Sequence, residues 1–240
     1  MSTPAPSPPP PAPRLGIFGG SFDPVHCGHL ELARACHEEA MLDEVWFTPT
    51  AIQPLKHGGP QASNLDRIEM LRLAIESVAT DSSKPRPRFA VCPPDSTELA
   101  EVRPRMSPQF TWRVCTLEID RGGYSYTVDT LRQIHEELPE AKLFFLMGAD
   151  ALRDVPSWKT PAEIFRLATP LVVGRAGEPP PELSAIQAMC PAENQPVQIA
   201  MRLVDVSSSE IRRRLAAGET LEGLVPQAVA DYITAHGLYG

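Results

Sequence analysis

Three short stretches of the chain carry residue types at spacings suited to handling phosphate. The first is Gly19-Gly20-Ser21-Phe22-Asp23-Pro24-Val25-His26-Cys27-Gly28-His29. Its glycines let the backbone approach a ligand closely. His26 and His29 stand three apart at the start of a predicted helix, so both can face one side. A helix N-terminus offers unsatisfied N–H groups and a positive dipole end. Two imidazoles there can donate to phosphate oxygens as charge builds in a transition state. The same residues also admit a plain glycine turn with two surface histidines. A metal site from His26, Cys27 and His29 is a third reading, but no further Cys/His pair is spaced to complete it.

The second stretch is Val206-Ser207-Ser208-Ser209-Glu210-Ile211-Arg212-Arg213-Arg214, where a strand is expected to end and a helix to begin. Ser207 with Glu210 fits a capping box, which alone would account for the pattern. Ser208, Ser209 and Arg212 at a helix start also make an anion site, with Arg213 and Arg214 turned to solvent. The third is Met147-Gly148-Ala149-Asp150. A carboxylate just past a strand can accept ribose hydroxyls, or can simply cap a turn. Trp158 follows it and offers an indole face to a flat heterocycle, although a place in the core is as open to it.

These residues need a frame. Short apolar runs predict strands at 15–18, 45–48, 89–92, 143–147, 171–173 and 203–206. Helical periods predict helices at 28–40, 64–78, 127–138, 208–217 and 226–236. Such alternation implies a mostly parallel sheet covered on both faces, with ligands beyond the carboxyl ends of its strands. Two polar, Pro-rich stretches break the rhythm. Residues 93–112 read as a surface insertion and 176–196 as a loop within one domain, 14–240.

The chain has 240 residues, and Lys+Arg 22 against Asp+Glu 30 gives a net charge of −8. That balance argues against nucleic-acid binding through bulk charge. No apolar run nears the roughly 20 residues of a membrane-spanning helix. Pro is abundant, and residues 1–13 are rich in it; they read as a polyproline-type disordered tail and not as a secretory signal. The five Cys are never spaced C-x-x-C, which points to reduced thiols and a cytoplasmic protein.

Taken together and in order, these segments resemble the H-x-G-H nucleotidyltransferase superfamily, and within it the bacterial nicotinate mononucleotide adenylyltransferases. Gly19 to His29 is similar to the family's G-G-[TS]-F-D-P-x-H-x-G-H. Ser125-Tyr126-Thr127-Val128-Asp129-Thr130-Leu131 is similar to its S-Y-T-x-x-T-L. Gly148-Ala149-Asp150 with Trp158 resembles its G-x-D…W segment, and Ser207–Arg212 its S-S-[ST]-x-[IL]-R. Val225 to Tyr239 resembles its C-terminal pattern.

The resemblance implies a Rossmann-like, doubly wound α/β fold. It also implies transfer of an adenylyl group from ATP to nicotinate mononucleotide, with Mg²⁺ as cofactor and a homodimer among the open options. His26, His29 and Arg212 would be catalytic. Gly19, Gly20, Ser21, Phe22, Gly28, Gly148, Asp150, Ser208 and Ser209 would bind ATP. Lys56, Thr127 and Trp158 would bind the mononucleotide. Leu55 stands where the family has a His, and Lys159 where some members have an aromatic; the lysine would favour an acid over an amide. Deleting residues 1–13 should leave kcat/KM unchanged, and a large loss would show that the tail takes part.

Overall fold

The computed structural model describes residues 11–55, 58–80, 88–92, 111–175, 181–201 and 204–240. Seven parallel strands form one sheet, in the order β3-β4-β2-β1-β5-β6-β7. They are β1 (Arg14–Gly20), β2 (Glu44–Pro49), β3 (Arg88–Cys92), β4 (Thr111–Cys115), β5 (Lys142–Gly148), β6 (Ala168–Arg175) and β7 (Val197–Met201). The chain leaves central β1 towards β2 and returns to pair β5 on its other side. The crevice beyond the carboxyl ends of β1 and β5 is therefore the topological switch point, where such sheets bind ligands.

Strand alternation divides the core into two layers. Leu15 and Ile17 of β1 point to one face with Trp46, Leu143 and Phe145; Phe18 points to the other with Phe47, Phe144 and Leu146. The register stacks Ile17 against Trp46 of β2 and Phe145 of β5. Helices α1 (Cys27–Glu39), α2 (Asn64–Thr80), α7 (Ser208–Ala216) and α8 (Gln227–Ala235) cover the Phe18 face. They bury Ala33, Leu71, Ile75, Ile211 and Val229 there. Helices α4 (Thr127–Glu137) and α5 (Pro161–Leu167) cover the other, through Val128, Leu131, Ile134, Ile164 and Phe165. Short helices α3 (Leu117–Arg121) and α6 (Ser184–Gln187) complete the set.

The expected alternation and parallel pairing hold, with three corrections. Of the strand predicted at 203–206, residue 203 lies outside the described residues and 204–206 is not a strand. Among the described residues the sheet's last strand is β7, and 204–206 has no ladder partner; the Val206 N–H instead donates to the Val204 carbonyl at 3.0 Å in a tight turn. The alternating Val197-Gln-Ile-Ala-Met201 lay beside a Pro-rich run that concealed it. The stretch read as an insertion to 112 ends by Thr111, where β4 slots between β2 and β3; residues 93–110 lie outside the described residues, as do residues 1–10 of the tail and 176–180 of the loop. Helices α3, α5 and α6, the last inside the stretch read as a loop, were not predicted, because five, seven and four residues are too short to show a period.

Trp112 marks the second correction. It is fully buried and packs edge-to-face on Phe47 at 5.4 Å. Trp112→Ala should therefore cost about 3–5 kcal/mol in urea unfolding; a loss under about 0.5 kcal/mol would place the side chain on a surface loop.

Candidate active site

The loop from β1 to α1 is held by two buried charged groups. Asp23 is 3% exposed, and its carboxylate accepts from the Gln61 and Ala62 N–H groups at 2.7 and 3.0 Å and from the Tyr239 hydroxyl at 2.8 Å. Arg212 lies 3.7 Å from the same carboxylate. Arg67, fully buried on α2, donates to the Ser21 carbonyl at 2.6 Å, the Thr50 carbonyl at 2.7 Å and the Asn64 side chain at 2.7 Å. It ties the loop after β1 to the loop after β2. Burial pushes its pKa down, and the Asp23 charge acts against that.

His26 caps α1. Its Nδ1 accepts from the His29 N–H, and the His29 Nδ1 accepts from the His26 N–H, both at 3.3 Å. The rings stack with centroids 3.6 Å apart. This is a capping box made of two imidazoles. Its chemical consequence is the tautomer. A ring nitrogen that accepts a hydrogen bond carries no proton, so each neutral imidazole holds its proton on Nε2. Burial lowers the His26 pKa to about 4, so that ring is a neutral donor at pH 7. Phe22 and Phe18 pack edge-on against His29, at 5.0 and 5.8 Å. Gly28 is required by close approach: a Cβ there would meet the His26 ring and Val206 at about 3.1 Å.

Helix α7 docks its start against this loop. Arg212 donates to the Asp23 carbonyl at 2.6 Å and towards the Ser209 hydroxyl at 3.4 Å. Ser208 donates to the Pro24 carbonyl at 2.9 Å. Ser207 caps the helix by accepting from the Glu210 N–H. Two helix N-termini and one guanidinium thus converge beside the histidines, an arrangement that stabilises anions.

Beside them a cavity of about 210 Å³ opens at the switch point. Gly19 and Gly20 of β1 and Phe145 to Gly148 of β5 form part of its wall; Thr127, Trp158 and Lys159 form more of it. A Cβ at Gly19 or Gly148 would meet nothing within 4 Å, so both face open space. Trp158 stands edge-to-face on Phe145 at 5.8 Å, with its ring on the cavity. Ser125 braces the mouth: its hydroxyl accepts from the Ala51 N–H at 2.9 Å, and its N–H donates to the Ile52 carbonyl at 2.8 Å.

The structure gathers His26, His29, Ser208, Ser209 and Arg212 at one place. It sets Gly19, Gly20, Gly148, Thr127 and Trp158 around the adjoining cavity. Several expectations change. Phe22 is fully buried and reaches a ligand only through His29. Ser21 contributes its carbonyl to Arg67. The Ser208 hydroxyl is already given to Pro24, which leaves its backbone N–H for an anion. Glu210 does not complete the capping box; its carboxylate pairs with Arg213 and Arg214 instead. The Lys159 ammonium sits 2.8 Å from Asp129 and over the Tyr126 ring, so its charge is engaged before any ligand arrives. Asp150 is exposed in a 3₁₀ turn and is not part of the cavity wall. Lys56 lies outside the described residues. Arg67, Asp23, Tyr239 and Glu118 had not been given roles. For Arg67, the Asn64–Arg67 pair at helical spacing was the available signal.

A parallel sheet with paired imidazoles at its first strand end and a cationic helix start beside them defines a nucleotide-handling class. Residues 17–214 match the cytidylyltransferase-like family. Within it the chain belongs to the nicotinate-nucleotide adenylyltransferases. It is 41% identical over 226 residues to the "probable nicotinate-nucleotide adenylyltransferase" of Thermus thermophilus, covering 94% of this chain and 99% of that one. The protein of that name from Thermomicrobium roseum is 37% identical over 227 residues, covering 94% and 91%. Among solved structures, the nicotinic acid mononucleotide adenylyltransferase of Plasmodium falciparum complexed with NaAD shares the fold. Its TM-score is 0.63 at 18% identity, with 95% of this chain and 97% of that one covered.

The buried imidazole makes stability depend on pH. His26 titrates near 4 when folded and near 6.5 when unfolded, so acid favours the unfolded chain. Its contribution is complete above pH 6.5 and is lost as pH falls towards 4. Between about pH 7.5 and 4.5, wild type should lose ~2–3 kcal/mol more than His26→Asn, whose side chain can still cap. Equal losses in urea unfolding would contradict a neutral His26.

Proposed function

We propose that the protein transfers the adenylyl group of ATP to nicotinate mononucleotide, giving nicotinate adenine dinucleotide and pyrophosphate, a step of NAD synthesis. The likeness over nearly the whole chain to proteins named for this activity carries the reading. The convergence of His26, His29 and Arg212 beside a cavity supports it.

The chemistry needs no nucleophile from the protein. An oxygen of the mononucleotide's phosphate attacks the α-phosphorus of ATP in line. That P–O bond forms as the bond to the β-phosphate oxygen breaks, and pyrophosphate leaves. The protein must align two anions and answer the charge that grows between them. His26 and His29 present Nε2–H donors on stacked rings, fixed before substrate binds. Arg212, the Ser209 hydroxyl and the starts of α1 and α7 act on the phosphates. Gly19, Gly20 and Gly148 let nucleotide lie against bare backbone, and Asp150, between the cavity-lining Gly148 and Ala151, would take a ribose. Trp158 takes the pyridine ring, and Thr127 at the start of α4 takes its carboxylate. Lys56 would serve a phosphate.

Mg²⁺ accompanies ATP in this reading and offsets phosphate charge. Among the described residues no three His, Cys, Asp or Glu side chains form a metal site. In this reading the ion would be held chiefly by substrate phosphates and water, the usual habit of Mg²⁺. No helix among the described residues is long and apolar enough to cross a membrane. A cytoplasmic place and small-molecule partners belong to the same reading.

With ATP and Mg²⁺, pyrophosphate release should be strongest with nicotinate mononucleotide, weaker with nicotinamide mononucleotide and absent with phosphopantetheine. Release with none of them would overturn the proposal. His29→Ala should lower kcat by roughly 10²–10³-fold while the fold survives, and a near-wild-type kcat would remove His29 from the mechanism.

A further inference from the structure

Glu118 is the one carboxylate in the cavity wall among the described residues, and the site above makes no use of it. It sits on α3 and is 4% exposed. Thr130 donates to its Oε1 at 2.7 Å. Its Oε2 is closed to solvent and makes no hydrogen bond among the described residues. Burial raises the carboxyl's pKa, while the Thr130 and Ser125 hydroxyls and the Arg121 charge lower it. An apolar side chain of similar size would fill this space without that electrostatic cost. The cavity's one cation among the described residues, Lys159, is already paired with Asp129.

We propose that Glu118 is the counter-ion of the substrate's pyridinium ring, so that the cavity selects a mononucleotide whose base carries a positive charge. The inference rests on the adenylyl-transfer reading. In nicotinate mononucleotide the ring nitrogen bonded to ribose is quaternary, and the ring is cationic at every pH. Trp158 supplies a π face for such a ring. Glu118, when ionised, supplies a negative charge in the wall of the same cavity. Because Oε2 is closed to solvent, the attraction acts across the wall and not through a direct hydrogen bond. Low local dielectric keeps it strong. A cation in the cavity offsets the cost that burial places on the carboxylate. Thr127 and the start of α4 remain for the substrate's own carboxylate, so the two ends of its zwitterion meet opposite partners.

Glu118→Gln keeps the size and an acceptor for Thr130 while removing the charge. It should raise the KM for nicotinate mononucleotide roughly tenfold and leave the KM for ATP within about twofold. Glu118→Asp keeps the charge and should hold the mononucleotide KM within about threefold. Equal impairment of both variants, or no rise in Glu118→Gln, would overturn the counter-ion role and leave Glu118 as a brace for Thr130. Wild type gives an independent readout through nicotinamide mononucleotide and its 1,4-dihydro form, which differ in ring charge. As competitors of nicotinate mononucleotide, the oxidised form should bind roughly tenfold more tightly; equal inhibition constants would overturn the proposal. A wild type that releases no pyrophosphate would instead overturn the adenylyl-transfer reading.

Discussion

A buried carboxylate must be answered on every side, and Asp23 is answered by three parts of the chain. The 61–62 turn gives two backbone N–H groups, Tyr239 a hydroxyl and α7 a guanidinium. None of these segments is near Asp23 in sequence, so folding brings them together to satisfy one charge. Removing a single partner would leave that charge partly bare, which costs more than the partner's own contact contributes. Arg67 is the counterpart in positive charge, with its two terminal nitrogens held by the carbonyls of two loops and the Asn64 side chain. Between them they fix the chain between β1 and α1, and with it both histidines.

The imidazole pair shows how one arrangement can serve fold and chemistry. A side chain that caps a helix usually spends its polar atom on the cap. Histidine has a second ring nitrogen, and capping through Nδ1 commits the proton to Nε2. Burial then keeps His26 neutral, so it can donate without repelling the other cations around the phosphates. A permanently charged residue there would add to the repulsion among Arg212 and the helix starts when no anion is bound.

The layered parallel sheet was legible in the sequence because its longer helices show a clear apolar stripe and its inner strands are unbroken apolar runs. Elements shorter than two helical turns carried no such stripe, which hid α3, α5 and α6. Trp112 and β7 were obscured by proline-rich neighbours that read as loop. At the site, the motif residues were legible by type but not by direction. Phe22 turns inward, and the Ser208 hydroxyl turns to Pro24. Lys159 faces a carboxylate 30 residues earlier in the chain. Arg67 on α2 and Glu118 on α3 gain their meaning only from what folding packs around them. Periodicity cannot distinguish such a buried ion from an ordinary polar position.

The contact between Tyr239 and Asp23 spans 216 positions. A ribosome adding about 5–20 residues per second places the histidine loop outside the exit tunnel long before its last fastenings exist. Until Arg212 and Tyr239 arrive, the Asp23 carboxylate has only the Gln61 and Ala62 N–H groups, and α1 has no second helix start beside it. The growing chain can therefore build most of its sheet while its phosphate site is still open. The site is complete only once α7 and Tyr239 have packed onto that loop.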